Sequence, residues 1–567
     1  MKQSDPNITA LTAPGAPFEV VNASVLGHDM RVFKNAPENL ADIFQDARHH
    51  GEAEFVTLGE TRLTFNAFFD QADRLSGWLQ NRANISPGQS VAICMKNCLE
   101  WMAAFVAISN IGAVPVSVNS RGEGAVMSHA VDDADSVFVI ADAKRLRALR
   151  EAGCDLPAIC VGDESDEAPL GVTSYADVMT STPDYKSIAR KTDDPAAMFF
   201  TSGTTGRAKA AVMTHRNIIT GLLTTQMAIA SISMTMAEQY GMTVEALKAH
   251  MPQRCSAMVF PLFHVSGCIS TFLSSLASGG KLVMMNRWNA DEALRLIEAE
   301  KISSFGGVPT MHWDLVKAAK NTKRDLSSLR ALSCGGQALP LGLLAEIRET
   351  FPNVIIGAGY GMTEASGAVS QATGEGITSR PKASGQKLAM IDIKVTDDEG
   401  QDLPEGEIGE FWVRGPTVIK EYHRRPEANA KAFKEGWYRT GDIGKLDSDG
   451  YLTVVDRKTD MVISGGENIY CAEVEQALGR HPAVRQVTTF GVPDDRLGER
   501  LVAGFVIDGQ VTPDELMAYA KDNLAAYKVP TDIILQANSF ALNAMGKVEK
   551  HKVRAAYLAR KEKEQAA

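Results

Sequence analysis

Short apolar runs rich in β-branched residues alternate along this chain with amphipathic stretches, and glycine or proline breaks most junctions. VAICM gives way to CLEWMAAFVAISNIG and then AVPVSV, and KLVMM gives way to ADEALRLIEAEKIS and then SFGGVP. A pattern that switches in this way between strand and helix predicts an α/β protein with mostly parallel sheet, because parallel strands need a crossover, usually a helix. A length of 567 residues leaves room for several such units. Near residue 380 the texture changes to short strands joined by turns rich in Asp, Glu and Gly, as in AMIDIKVTDDEGQDLPEGEIGEFWVRG, which predicts a small β subdomain over about 380–455. A second change at Asp456 predicts a separate α+β domain over 456–567, with residues 456–458 as hinge and 1–455 as the larger lobe. The expected lobe is α/β, two mixed or parallel αβ subdomains plus the small β subdomain.

The balance of 58 Lys and Arg against 69 Asp and Glu leaves a formal charge of −11, without the basic footprint that a nucleic-acid backbone requires. A small-molecule partner is expected, and no nucleic acid. The eight cysteines show no CxxC pairing and read as reduced, packed thiols of a cytoplasmic protein. Cys94 and Cys98 stand at i, i+4, yet no further ligand follows at metal spacing. The N-terminal MKQSDPNITALTAPG has no apolar leader. The uncharged run 101–120 contains Gly112 and Pro115, so it predicts a buried helix, a turn and a strand, and no transmembrane segment. The Met-rich stretch 227–251 suits core gap-filling or a mobile insert, with a lipid-facing surface as the other reading. The basic tail 547–563 reads as a solvated helix.

The segment MFFTSGTTGRAKAAVMTHRN predicts a strand over 196–200, then Thr201-Ser202-Gly203-Thr204-Thr205-Gly206, Lys209, and a helix capped by Thr214. Glycines let successive N–H groups turn inward, hydroxyls add donors and the lysine adds a point charge, so the loop suits a polyphosphate. It is not a Walker A loop, because no Gly-Lys-Ser/Thr closes it. A second glycine-rich stretch, GAGYGMTEAS, lacks the Rossmann spacing but sets an aromatic (Tyr360), a hydroxyl (Thr363) and a carboxylate (Glu364) side by side. Such a group can stack on a base and hold Mg²⁺ on a phosphate; taken alone it can also be a plain turn.

These stretches, with Tyr438-Arg439-Thr440-Gly441-Asp442, Asp456-Arg457-Lys458, Ser464-Gly465-Gly466-Glu467-Asn468-Ile469-Tyr470 and Gly546-Lys547, occur in the order and spacing of the adenylate-forming enzymes. The chain resembles the AMP-forming acyl-CoA synthetases of that superfamily over about residues 40–552. The resemblance implies ATP, Mg²⁺ and CoA as cofactors and a small-molecule carboxylic acid as substrate. It assigns Thr201, Ser202, Gly203, Thr204, Thr205, Gly206 and Lys209 to the β- and γ-phosphates. Gly335, Gly336, Gln337 and Tyr360 resemble the adenine pocket, with Gly361 and Met362 beside them on the nucleotide. Thr363 and Glu364 belong to the catalytic group, Glu364 as the metal ligand. Asp442 matches the ribose-binding aspartate and Arg457 the arginine that supports it. Lys547 matches the lysine that bridges substrate carboxylate and α-phosphate. Ser464, Gly465, Gly466 and Glu467 resemble the loop lining the pantetheine tunnel, and Asp456 the residue about which a mobile C-terminal domain swings.

Three departures stand out: Ala208-Lys209-Ala210 where relatives have Pro-Lys-Gly, Thr459 where many have lysine, and Leu542-Asn543-Ala544-Met545 before Gly546-Lys547. The stretch Pro261-Leu262-Phe263-His264-Val265-Ser266-Gly267 carries no carboxylate, which disfavours an ammonium-bearing acid, and His264 resembles the aromatic gate between acyl pocket and phosphates. Small residues (Gly306, Gly307, Gly335, Gly336, Gly357, Gly359 and the stretch 365–368) imply room for a medium- or long-chain fatty acid or a bulky aryl acid. Transfer to a carrier-protein phosphopantetheine is the alternative to CoA, and the sequence leaves open a homodimer.

Overall fold

The computed structural model describes residues 5–162, 172–201, 208–337, 339–542 and 547–566. It has a large N-terminal α/β region and a smaller C-terminal domain. The first sheet has eight strands: Glu421–Tyr422, Lys209–Thr214, Pro195–Thr201, Val114–Ser117, Ser90–Cys94, Ser136–Asp142, Ala158–Val161 and Thr173–Ser174, in that order. Its strands from Pro195–Thr201 onward are parallel, while the first two add antiparallel at one edge. All five residues of Ser90–Cys94 are buried, as expected of a parallel strand covered by helices on both faces. The uncharged run 101–120 folds within the buried helix Leu99–Asn110, a turn with Gly112 at φ +72°, and the strand Val114–Ser117.

The second sheet has fourteen strands. Its parallel centre runs Glu54–Leu58, Lys281–Met284, Cys255–Met258, Ser304–Gly307, Ala331–Cys334, Ile355–Met362. The strands expected as a separate β subdomain continue this sheet. Gly367–Thr373 pairs with Gly385–Lys387, which pairs with Tyr451–Arg457, and Trp437–Leu446, Gly409–Arg414 and Asp392–Thr396 follow. One apolar cluster joins both sheets through the helices Phe65–Asn81 and Leu99–Asn110 and the segment Ser266–Leu273. Within it Trp101 stacks on Phe105 at 5.8 Å, and Phe105 meets Phe272 edge-on at 6.3 Å. Two further clusters lie under helices on the outer faces, giving an αβαβα layering.

All eight cysteines are buried and none forms a disulfide. Among the described residues one helix, His215–Gln239, is long and apolar enough to cross a membrane by length and composition. Its Ile218, Ile219, Leu222 and Met227 are buried in the fold. The five-stranded sheet of the C-terminal domain packs helices on both faces. The basic tail is the expected helix, Lys550–Ala566, solvated on most of its surface, but it also lays Val553 and Tyr557 against the sheet, one turn apart on the same face, and Tyr557 donates to Asp532 at 2.7 Å.

Candidate active site

The residues singled out from the sequence converge at the carboxyl ends of the parallel strands, where ligands of open α/β sheets bind. The strand Pro195–Thr201 turns back into the strand Lys209–Thr214, with Thr201 opposite Lys209. The helix capped by Thr214 begins at His215 as expected, with the Thr214 side chain accepting from Asn217 N–H and Asn217 capping back, while the apolar Ala210-Ala211-Val212-Met213, unassigned in the sequence, pairs with the first strand. Ser202, Gly203, Thr204, Thr205 and Gly206 lie outside the described residues.

The placement of the residues expected at the nucleotide follows from sheet order. Ala331–Cys334 and Ile355–Met362 are parallel neighbours, so Gly335, Gly336 and Gln337 emerge beside Gly359 and Tyr360. Gly361 sits at a register shift where an added Cβ would lie 2.3 Å from the Gly367 carbonyl oxygen, so packing demands glycine there. Asp442 and Arg457 face each other across an antiparallel pair. The buried Asp442 carboxylate accepts from Tyr360 Oη at 2.5 Å and from Arg457 Nε at 3.0 Å. Burial, and then the Asp442 charge, raise the Tyr360 phenol well above its ordinary range, so it remains a donor.

Thr363 and Glu364 form a single helical turn after Ile355–Met362. Tyr422 Oη donates to Glu364 Oε1 at 2.8 Å and meets Tyr438 Oη at 3.1 Å, while its ring carries the Lys209 ammonium at 4.4 Å from the centroid. One tyrosine thus links the carboxylate expected to hold Mg²⁺ and the lysine expected on the β- and γ-phosphates. Glu364 stands without a cluster of acidic partners: among the described residues no three His, Cys, Asp or Glu side chains gather as a metal site. A single carboxylate without acidic neighbours is the donor set of a Mg²⁺ ion held mainly by phosphates, so the residues present fit that ion.

His264 follows a segment pinned by Asn97, whose side chain donates to Phe260 O at 2.8 Å and accepts from Leu262 N at 2.8 Å. Burial first, then Arg121 and Lys547, push the imidazole pKa down to about 4, and its shielded Nε2 has no hydrogen-bond partner among the described groups. Lys547 comes from the C-terminal domain, just before Val548, which bridges back to Leu542. Burial and the Arg457 guanidinium lower the Lys547 pKa, and Asp442 opposes them. A neutral imidazole therefore sits within the field of two cations.

Asp456 accepts from Ala472 N at 3.2 Å and so caps the helix Cys471–Leu478. Burial raises its pKa to about 6 against the pull of Lys550, which is itself paired with Glu475 at 2.8 Å. Ser464, Gly465, Gly466 and Glu467 form a two-residue hairpin turn with φ of +61° and +87° at its glycines. That hairpin is tied to Leu497, through Gly465 N–H to Leu497 O at 2.8 Å.

A recess of about 40 Å³ lies beside the Glu364 turn, between the helix His215–Gln239 and the segment Ser266–Leu273 that follows His264. Of the small residues expected to wall an acyl pocket, Ala365, Ser366 and Ala368 line it; Gly306, Gly307, Gly335, Gly336, Gly357 and Gly359 do not. An added Cβ at Gly359 would meet Ser370 O at 2.5 Å, and at Gly306 it would meet Ser333 Oγ at 2.9 Å, so these glycines serve close packing. The sequence reading missed Tyr422, Arg121 and Thr417. Tyr438, by contrast, lay within a quoted motif.

A family model described as AMP-binding enzyme matches residues 43–423, and one described as AMP-binding enzyme C-terminal domain matches residues 473–547. The chain is similar to a feruloyl-CoA synthase of an Amycolatopsis species, 32% identical over 90% of this chain and 96% of the relative. A long-chain-fatty-acid–CoA ligase of Mycobacterium tuberculosis is 30% identical over 88% of this chain and 94% of its own length. Among solved structures, o-succinylbenzoate CoA synthetase of Bacillus subtilis with its acyl-adenylate intermediate superposes with a TM-score of 0.77 at 28% identity, covering 92% of this chain and 98% of that one.

Two outcomes follow from this geometry. The imidazole of His264 titrates with a midpoint near 4, against 6.5 in an unfolded chain, so its contribution to stability is full above about pH 6.5 and is lost as the pH falls through about 4; an NMR titration that places the midpoint near 6.5 contradicts the site. Tyr422→Phe keeps the ring under Lys209 but removes the bond to Glu364, and weakens Mg·ATP binding about tenfold by calorimetry. Tyr422→Leu, which also removes the cation–π contact, weakens it further.

Proposed function

The chain belongs to the AMP-binding enzyme family, and from that premise we propose how its own residues divide an acid–thiol ligation between two half-reactions at one site. The reaction is ATP-dependent activation of a carboxylic acid as an acyl-adenylate, followed by transfer of the acyl group to CoA. Relatives named for feruloyl, 2-succinylbenzoate and long-chain fatty acids span aryl and alkyl acids, so their names leave the acid open.

In the first half-reaction a carboxylate oxygen attacks the α-phosphorus of ATP and the bond to pyrophosphate breaks. Both partners are anions, so they approach only where positive charge is fixed in advance. Lys547 and Arg121, whose charges both reach the neutral His264, supply it. An anion between them raises the depressed Lys547 pKa again, so binding and charging reinforce one another. Lys209, steadied on Tyr422, and the hydroxyls from Thr201 onward hold the departing pyrophosphate. Asp442 receives the ribose hydroxyls while Arg457 and Tyr360 keep its carboxylate in place. Magnesium, held by Glu364 and the phosphates, would neutralise charge on the triphosphate. The recess beside Glu364 takes the tail of the acid.

In the second half-reaction a CoA thiol attacks the acyl carbonyl and AMP leaves. The thiol needs the space in which Lys547 stands, so the C-terminal domain rotates about residues 456–458 and brings the Ser464 to Glu467 hairpin to the pantetheine path. The hinge has the means: Asp456 is bound to the C-terminal domain through Ala472, whereas Arg457 is bound to the lobe through Asp442 and Lys458 through Asp398 at 2.7 Å. The observation that carries this reading is a lysine of the C-terminal domain sharing its field with His264, Arg457 and Asp442 of the lobe side.

Lys547→Ala lowers acyl-adenylate formation, followed by ATP–pyrophosphate exchange, by about 100-fold or more, and leaves thioester formation from a supplied acyl-adenylate within about threefold of the parent. Equal losses in the two assays contradict the proposal.

A further inference from the structure

Among the described residues the recess beside Glu364 is lined without any charged side chain, and the hydroxyls of two of its lining residues have no hydrogen-bond partner. Ser366 and Thr417 are 3% and 4% exposed, and neither Ser366 Oγ nor Thr417 Oγ1 has a hydrogen-bond partner among the described residues. Their neighbours in the recess behave differently: Thr224 and Thr225 donate to carbonyl oxygens one helical turn back, at 2.7 and 3.0 Å. A buried hydroxyl that makes no hydrogen bond destabilises the fold, and two in one small space need an explanation.

Both orphans are held in place from outside the recess. Asn217 Nδ2 donates to Pro416 O at 2.8 Å and to Val418 O at 2.9 Å, clamping the backbone on either side of Thr417. Ile419 N–H donates to Glu364 O at 3.0 Å, which ties this loop to the turn that bears Ser366. Ser366 itself adopts φ +55° and ψ +25°, a left-handed conformation that glycine takes at less cost. A serine is thus retained where the backbone favours glycine and where its hydroxyl is unbonded within the protein. A cavity of about 40 Å³ has room for two or three waters, or for the end of a substituent on the acid.

We propose, resting on the acid-activating reading above, that Ser366 and Thr417 bind an uncharged hydrogen-bonding group on the tail of the acid, so that the substrate is a hydroxy, oxo or carboxamide acid. A hydroxyl both donates and accepts, so a pair of them suits a ketone oxygen, an alcohol or an amide equally in kind. A second carboxylate would find no cation in the recess and an ammonium no anion, and burying either unpaired is costly. A plain alkyl or aryl tail would leave both hydroxyls buried and unbonded, the circumstance under which a binding site rejects a substrate lacking its polar group.

The test uses pairs of carboxylic acids identical except that one CH₂ is replaced by C=O, or one CH₃ by OH, at successive positions along the tail, with AMP release as the readout. At one position the polar acid exceeds its parent at least about tenfold in kcat/KM. Ser366→Gly, which removes the hydroxyl and suits the left-handed backbone, and Thr417→Val each bring that ratio toward one. Melting temperatures confirm that both variants are folded. Plain acids that match or surpass their polar partners, dicarboxylates as the best substrates, or ratios unchanged in both variants overturn this inference and leave acid activation standing. Absence of AMP with every acid overturns acid activation itself, and this inference with it.

Discussion

Everything in the nucleotide half of the site hangs on one buried carboxylate. Asp442 is 3% exposed, and such a charge is tolerated only because Arg457 Nε and Tyr360 Oη bond its two oxygens. Removing either partner from a buried pair of this kind typically costs about 3–5 kcal/mol, far more than an exposed ion pair contributes. The same two bonds join three parts of the chain: the strand Ile355–Met362 that presents Tyr360, the strand Trp437–Leu446 that carries Asp442, and the strand Tyr451–Arg457 that runs into the hinge. Asp442, proposed to receive the ribose, and Asp456, proposed as the pivot, therefore lie on neighbouring rungs of one antiparallel pair.

A protein of net charge −11 is suited to ATP and CoA because long-range charge is screened within about 8–10 Å of the surface, whereas buried groups act at close range. What decides is local: Lys209 on Tyr422, Arg121 and Lys547 about His264, and Arg457 on Asp442. Neutral His264 keeps the centre of this group from becoming a third positive charge. The imidazole can then offer shape without competing for the anions that the cations hold.

Much of the fold was legible because buried parallel strands and amphipathic helices have different periods, and the alternation survives even where boundaries blur. Continuity of the second sheet was not legible, since it depends on which edge Gly385–Lys387 accepts, a non-local choice. The strand Lys209–Thr214 was hidden because a short apolar run between a glycine-rich stretch and a helix cap does not declare by its period which strand it pairs with. Lysine-rich text likewise concealed the tail helix's buried stripe, Val553 and Tyr557. In the site, glycines and charged motif residues were legible through their chemistry. Tyr422 was not: its partners Glu364 and Lys209 are remote in sequence, and only the pairing of Glu421–Tyr422 with Lys209–Thr214 brings them together. Lys547 carried its meaning through resemblance alone until the fold set it beside Arg457 and His264.

The central claim is that one site couples cleavage of ATP between its α- and β-phosphates to formation of a thioester. Product stoichiometry tests it most directly: the protein, incubated with ATP, Mg²⁺, CoA and a carboxylic acid, and with no carrier protein present, is followed for AMP, pyrophosphate and acyl-CoA by chromatography. The account predicts the three in equal amounts, with acyl-adenylate accumulating when CoA is withheld. ADP and phosphate in place of AMP and pyrophosphate, or AMP without acyl-CoA until a phosphopantetheinyl carrier is added, would contradict it.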